Sequence, residues 1–473
     1  MGKTKLHTIQ NQVREHIRIG LYRPGEKLGS ARDLAEKFAA NRHTVMAALQ
    51  QLIAEGWLCS VVRQGYFVEE KLPIEHSATT SQHNLLEPIS PPFAEVLPLA
   101  ITSQVSNYRY HFGGGLPDID AFAFDSFRRS MSVVCRQASG PLLHYGEVSG
   151  VIGLKQQVLH YLRHARSLDK DDVLICNGSQ EALSLIAQTF IRQGDGVAIE
   201  ALGYPPARNA FAACGARLVA IAQTSSGICT THLKEVLASQ TIKLLYLTPL
   251  HQYPTTVTLS AAKRLEIYQL CYQHGVLIVE DDYDHEFHYA CQPLQPMAAS
   301  DPAEMVIYLS TFSKVMFAGI RTGYVCASKP ILAQLVARKQ LMNHCNEALT
   351  QMAIAHWMQE GHFERHLRKM TKLYRQRRDA MVAYLQSRIS PKLPLQFDIP
   401  DGGMALWVDV GKPITNLKGM MKSMGVYVQT ESEFCVEPPH KERFIRLGFA
   451  SQSTTKALQG LAILLSQIEK EPE

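Results

Sequence analysis

Lys314 stands just past a short apolar run, in Ser310-Thr311-Phe312-Ser313-Lys314. Arg321 follows seven residues later, flanked by glycines in Gly319-Ile320-Arg321-Thr322-Gly323-Tyr324. A lysine and an arginine so spaced suit one task. The lysine holds an aldehyde as a Schiff base while the arginine grips a phosphate on the same molecule. A surface lysine in a strand-to-loop turn is the plain alternative, and the rest of the chain decides between them.

An aldehyde that carries a phosphate and a pyridine ring, pyridoxal 5'-phosphate, needs three further supports: an acid for the ring nitrogen, donors for the phosphate and a flat group over the ring. Asp281, in Glu280-Asp281-Asp282-Tyr283, is the candidate acid, because a carboxylate beside the ring nitrogen favours the protonated, electron-withdrawing ring. Loop or helix capping is the commoner role for such an aspartate. Tyr283 is placed to hydrogen-bond the ring's phenolic oxygen; a buried tyrosine satisfied by backbone is its alternative. Gly178-Ser179-Gln180 opens a helix directly after a strand, where backbone N–H groups bind phosphate well. Ser179 and Thr311 add hydroxyls, and Arg321 can pair with the phosphate at two points. Tyr204, in Gly203-Tyr204-Pro205, is the candidate stacking ring, with core packing as its alternative.

The elements that must carry these residues are short apolar strands alternating with helical patterns. Val173-Leu174-Ile175-Cys176 precedes a helix over 180–192, and Val197-Ala198-Ile199-Glu200 ends at Gly203. Leu244-Leu245-Tyr246-Leu247 stops at Thr248-Pro249, Val276-Leu277-Ile278-Val279 at Glu280, and Val306-Ile307-Tyr308-Leu309 at Ser310. That alternation predicts an α/β fold on a mostly parallel sheet. Ligands bind such sheets beyond the carboxyl ends of the strands, and every polar motif above lies at one.

With these motifs the chain, from about Tyr110 onward, resembles the fold-type I aminotransferases. Asn177-Gly178-Ser179-Gln180-Glu181-Ala182-Leu183, Gly203-Tyr204-Pro205 and Ser310-Thr311-Phe312-Ser313-Lys314 carry the likeness. Thr248-Pro249-Leu250-His251-Gln252-Tyr253-Pro254-Thr255 and Glu280-Asp281-Asp282-Tyr283-Asp284-His285-Glu286-Phe287 look specifically like the MocR/GabR regulators. The resemblance implies the Schiff base at Lys314, the ring nitrogen at Asp281, the phosphate at Arg321, and an effector carboxylate at Arg446 in Phe444-Ile445-Arg446-Leu447. It also implies a homodimer in which Tyr145 reaches the phosphate of the second subunit, and a smaller C-terminal α+β subdomain from about residue 345. Thr256 departs from the family, which usually has glycine there, so a side chain is expected to reshape that turn.

The first seventy residues have a different texture. A helix from about His7 to Ile19 turns Ile9, Val13 and Ile17 inward. Ser30 to Phe38 reads as a short helix with Ser30 and Asp33 as a capping box. After the turn Ala39-Ala40-Asn41, a second helix runs from Arg42 to about Glu55, with Val45, Ala48, Leu49, Leu52 and Ile53 on one face. Two helices joined in this way suit a helix-turn-helix, in which Arg42, His43 and Thr44 reach bases and phosphates. Leu58–Val62 and Tyr66–Val68 flank Arg63-Gln64-Gly65, a hairpin with a basic tip that suits a wing. A small protein-interaction module is the alternative. Gly20-Leu21-Tyr22-Arg23-Pro24-Gly25-Glu26-Lys27-Leu28, Arg32-Asp33-Leu34-Ala35 and Gly65-Tyr66-Phe67-Val68 resemble the GntR winged-helix family, which implies DNA binding through Arg32 and Arg42. Gly29 stands where that family often has proline, which is expected to loosen the start of the helix.

The chain therefore divides into a winged helix (1–70), a Ser- and Pro-containing linker (71–107) and an aminotransferase-like domain (108–473). Of its 473 residues 46% are hydrophobic and 19% charged, which fits a soluble globular protein. No apolar run approaches a membrane helix, and the N-terminus lacks the apolar stretch of a signal peptide. The ten cysteines include no CxxC pair, so neither a metal site nor a disulfide framework is expected, and a cytoplasmic location is. The net charge of +5 permits nucleic-acid binding without requiring it. The expected function is transcription regulation on a double-stranded operator, with pyridoxal phosphate, an amine or an amino acid sensed through an external aldimine at Lys314. An aminotransferase with a DNA-binding appendage is the alternative, since the cofactor site looks complete in either case.

Overall fold

The structure is a computed structural model that describes residues 2–62, 64–73, 108–140, 144–289, 294–436, 439 and 441–471. Arg63 and residues 74–107 of the expected linker lie outside the described residues. The chain separates into two compact units, Met1–Ala94 and Glu95–Glu473.

In the first unit the helix Gly2–Arg18 buries Ile9, Val13 and Ile17, four residues apart and therefore on one face. They pack with Val45, Ala48, Leu49 and Leu52 of the helix Arg42–Ala54, while Ile53 sits half-buried at the edge of that face. The strands Leu58–Val61 and Gly65–Val68 pair as a hairpin, and Lys27–Gly29 adds a third strand. Ser30 forms the complete capping box with Asp33 at the head of the helix Ala31–Lys37. The expectation that Gly29 loosens this helix is corrected: its φ of 117° is a conformation that glycine alone adopts readily, and the box closes behind it.

The second unit is built on a seven-stranded sheet. Its spatial order is Leu174–Cys176, Gly323–Cys326, Val306–Thr311, Leu277–Asp281, Ile242–Leu247, Gly196–Glu200 and Arg217–Ile221. Every adjacent pair is parallel except the two made by Gly323–Cys326, which is antiparallel to both neighbours. Alternate residues divide between two apolar clusters: Ala198, Leu245, Ile278 and Val306 go to one, Val197, Leu244, Val279 and Ile307 to the other. The sheet is thus buried on both faces, which is why its strands read as unbroken apolar runs.

A second, antiparallel sheet joins Ala405–Ile414, Glu442–Gly448 and Gln429–Thr430; the helices His362–Arg388 and Thr454–Lys470 pack on each other, while Ala348–Gln359 packs on Phe124–Gln137 and Ile152–Arg166. This smaller subdomain is not wholly C-terminal. The strand Tyr110–His111 pairs in parallel with Val426–Tyr427 and carries the chain past the site on its way in. No helix among the described residues is long and apolar enough to cross a membrane.

Candidate functional site

The strand Val306–Thr311 delivers Lys314 through a tight turn. Met316 donates to the carbonyl of Phe312 at 2.8 Å, and Phe312 donates to that of Thr322 at 3.0 Å. Burial first and the charge of Arg446 second hold the Lys314 ammonium down to about 8, against the opposing pull of Asp284 and Asp281. A Cβ on Gly115 would lie 3.1 Å from Lys314 Nζ, so a residue without a side chain keeps the amine clear.

Asp281 closes the neighbouring parallel strand, with Leu309 as its partner in register. It is 3% exposed. Burial raises its carboxyl to about 7. The Tyr246 hydroxyl donates to Oδ2 at 2.8 Å, while Oδ1 has no donor among the described residues. A buried carboxylate oxygen left open costs free energy unless a ligand supplies a proton. A pyridinium N–H meets that need.

Two residues with positive φ shape the head of the helix Ser179–Phe190. Gly178 (φ 79°) caps the helix Ser179–Phe190, and Arg321 (φ 45°) turns its guanidinium back to donate to the Asn177 carbonyl at 2.8 Å. A Cβ at position 178 would lie 3.1 Å from the Arg321 guanidinium carbon and crowd this approach. Ser179 opens the helix, and Gln180 Nε2 reaches the carbonyl of Pro206 at 3.5 Å, toward the loop of Tyr204. The rings of Tyr204 and Tyr253 meet edge-on, with centroids 5.1 Å apart.

Two expected ligand contacts are placed differently. The Tyr283 hydroxyl donates to the carbonyl of His251 at 3.0 Å, so its only proton is directed at backbone rather than at a ligand. The Thr311 hydroxyl lies 3.1 Å from Ser313 Oγ and 3.2 Å from the Thr322 carbonyl, inside the turn that presents Lys314. The expectation that the Thr256 side chain reshapes its turn is corrected: Thr256 adopts φ 64° itself, and its amide donates to the Gln252 carbonyl at 2.7 Å. Tyr145 is 89% exposed, and its ring centroid lies 5.9 Å from that of His344.

Arg446 lies in the strand Glu442–Gly448, opposite Trp407 and Gln429, and is 1% exposed. Nε and Nη1 have no acceptor among the described residues. Its guanidinium carbon is 4.3 Å from the centre of the Tyr253 ring, and a Cβ on Gly114 would fall on Nη1. A buried planar cation with open N–H groups can pair with a carboxylate at two points.

Sequence reasoning assigned no role to Tyr246, Gly114, Gly115 or Tyr253. Each had a signal: a tyrosine inside an apolar strand, a run of three glycines, and an aromatic within a motif already singled out. The buried His251–Asp284 pair, 2.7 Å apart, was also missed.

In the first unit, Arg42 and His43 are exposed at the start of the helix Arg42–Ala54, behind the cap Asn41, and Thr44 is half-buried. Arg32 is exposed on the preceding helix and Gln64 on the hairpin turn. Arg63 lies outside the described residues.

Fold and site together define a fold-type I aminotransferase unit attached to a winged helix. Residues 116–463 match the family described as aminotransferase class I and II, and residues 6–68 match bacterial regulatory proteins of the gntR family. The chain belongs to the aminotransferase class I and II family, joined to a GntR helix-turn-helix domain in the MocR/GabR arrangement. It is similar to the uncharacterized HTH-type transcriptional regulator YdeL of Bacillus subtilis, at 27% identity over 96% of this chain and 94% of that one. The probable rhizopine catabolism regulatory protein MocR of Rhizobium meliloti is 28% identical over 84% of this chain and 80% of its own. The solved kynurenine aminotransferase of Pyrococcus horikoshii superposes with a TM-score of 0.73 at 27% identity, covering 78% of this chain and 93% of its own. The cofactor of this family is pyridoxal phosphate, and the open Asp281 Oδ1, the Lys314 amine and the Gly178–Arg321 cradle fit it.

Proposed function

We propose that this chain is a DNA-binding transcription regulator that holds pyridoxal phosphate at Lys314 and senses an amine or amino acid bearing a carboxylate. The observation that carries the effector reading is Arg446, buried with two nitrogens unpaired. When bound, the cofactor supplies an electrophilic aldehyde carbon and an electron-withdrawing ring. The protein's residues do the rest. Lys314 Nζ holds the aldehyde, Asp281 holds the ring N–H, and Arg321, Gly178 and Ser179 hold the phosphate, with Thr311 framing the turn. Tyr204 and Tyr283 wall the ring, Gln180 braces the Tyr204 loop, and Arg446 orients the effector carboxylate. In a homodimer, the exposed Tyr145 reaches the second copy's site.

Residues 1–70 contact the operator through Arg32, Arg42, His43, Thr44, Arg63 and Gln64, residues 71–107 tether them, and residues 108–473 sense the ligand. The regulator acts where DNA is, in the cytoplasm. The completeness of the site favours a second reading, an aminotransferase with a DNA-binding appendage. Binding of the full chain to its own upstream DNA separates the two. Affinity falls steeply with salt, and Arg42→Ala lowers the slope by about one counterion. Failure to bind that DNA at low salt, together with sustained transamination, establishes the second reading instead.

A further inference from the structure

Lys339 is 0% exposed, a rare place for an ammonium group. Its three N–H bonds find three acceptors: Glu181 Oε1 at 3.0 Å, Asn343 Oδ1 at 3.1 Å and Asn346 Oδ1 at 2.5 Å. Asn343 Nδ2 also donates to Glu181 Oε1, and Asn346 Nδ2 donates to Oε2 at 3.3 Å. Oε2 accepts as well from the backbone amide of Asn177. The carbonyl of Asn177 in turn accepts from Arg321. Asn177 is therefore held at both of its peptide groups, by the carboxylate of Glu181 on one side and the guanidinium of Arg321 on the other. It immediately precedes Gly178, the cap of the helix whose first turn receives the phosphate.

The same network reaches a second place. Asn343 ends the helix Lys329–Asn343, and Asn346 lies just before Ala348–Gln359. Between them His344 adopts φ 59° and ψ −68°, a conformation that L-residues rarely take. Asn177, Arg321, Asn343 and Asn346 also line one polar cavity of about 350 Å³. A buried ion pair is a poor source of net stability, because desolvation offsets its attraction. Its value is geometric: it fixes which way two elements face each other.

Resting on the pyridoxal phosphate reading, we propose that Glu181 and Lys339, with Asn343 and Asn346, position the phosphate cradle and tie it to the turn at His344. The four act through Asn177 rather than by binding the ligand themselves. Arg321 keeps one N–H on the Asn177 carbonyl and offers the others to phosphate only while Asn177 stays in place, and Glu181 keeps it there. The ligand feature at stake is a phosphomonoester dianion.

The test compares pyridoxal phosphate with pyridoxal, which lacks the phosphate, on the full-length chain. Absorbance titrations give an affinity for each, in wild type, Lys339→Met and Asn346→Ala. Wild type prefers the phosphorylated form, and both variants lose at least about tenfold of that preference with pyridoxal affinity retained. An unchanged preference in the variants overturns the inference, as does an equal loss for both ligands, which marks a merely structural role. Should Lys339→Met not fold, Asn346→Ala decides alone by the same ratio. A wild type without any preference for the phosphorylated form overturns the cofactor reading itself, and this inference with it.

Discussion

The guanidinium carbon of Arg446 lies 4.3 Å from the centre of the Tyr253 ring, and two of its nitrogens meet no acceptor among the described residues. A ring face returns about 0.5–2 kcal/mol to a cation, less than the several kcal/mol that burying the charge costs. The balance points to an anion. Arg446→Met is expected to weaken carboxylate-bearing amines by about 2–4 kcal/mol relative to the same amines without the carboxylate. Spectral titration of the cofactor-loaded protein with each pair measures the difference; equal losses for both members contradict the assignment.

Lys314 titrates at about 8, through burial first and the charge of Arg446 second. Only the neutral amine attacks an aldehyde. The rate of pyridoxal phosphate capture therefore rises from pH 7 to 9 with its midpoint near 8. Removing the Arg446 charge favours the protonated lysine, so Arg446→Met moves that midpoint upward. Stopped-flow absorbance across the range reads both; a downward shift would falsify the electrostatic account.

Asp281 has its carboxyl raised from 3.8 to about 7 by burial. Between those two values the unfolded chain has lost a proton that the folded chain keeps, so raising pH through this window favours unfolding. Above about pH 7 both states are ionised and the loss is complete. The shift corresponds to roughly 4 kcal/mol at most. Cofactor-free Asp281→Asn should lack this component. Because Glu280 and Glu200 are raised to about 7 and about 8, the quantity to follow is the difference between variant and wild type in denaturant titrations from pH 4 to 8. A difference that does not vary with pH rules the explanation out.

Thr256 holds φ 64° with a β-branched side chain, in the turn that carries Tyr253. Such a residue costs about 1–3 kcal/mol, part of which glycine gives back through its greater freedom in the unfolded chain. Thr256→Gly is expected to stabilise the large unit by about 1 kcal/mol. A lowered melting temperature would show that the side chain contributes more than its strain costs.

The strands and the lysine, aspartate and arginine at their ends were legible because a sheet buried on both faces must be apolar until it stops. Gly323–Cys326 and Arg217–Ile221 were not recognised: one is short and glycine-led, the other begins with an exposed arginine. The true hydroxyl partners of Tyr283 and Thr311 were beyond reach, since each depends on a carbonyl that only the folded loop supplies. The Lys339 network was hidden for a related reason. Glu181 and Lys339 are 158 residues apart, and nothing local marks a lysine as buried.

Ligand binding at Lys314 is expected to change how the winged helix engages DNA. Fluorescence anisotropy on upstream DNA, with the wild-type chain and Lys314→Ala, each with and without pyridoxal phosphate and a carboxylate-bearing amine, tests it most directly. The account predicts a ligand-dependent change in wild-type affinity of about fivefold or more, absent in Lys314→Ala, whose ligand-free DNA binding matches wild type. Identical wild-type affinities under every ligand condition, with the cofactor demonstrably bound, would contradict it.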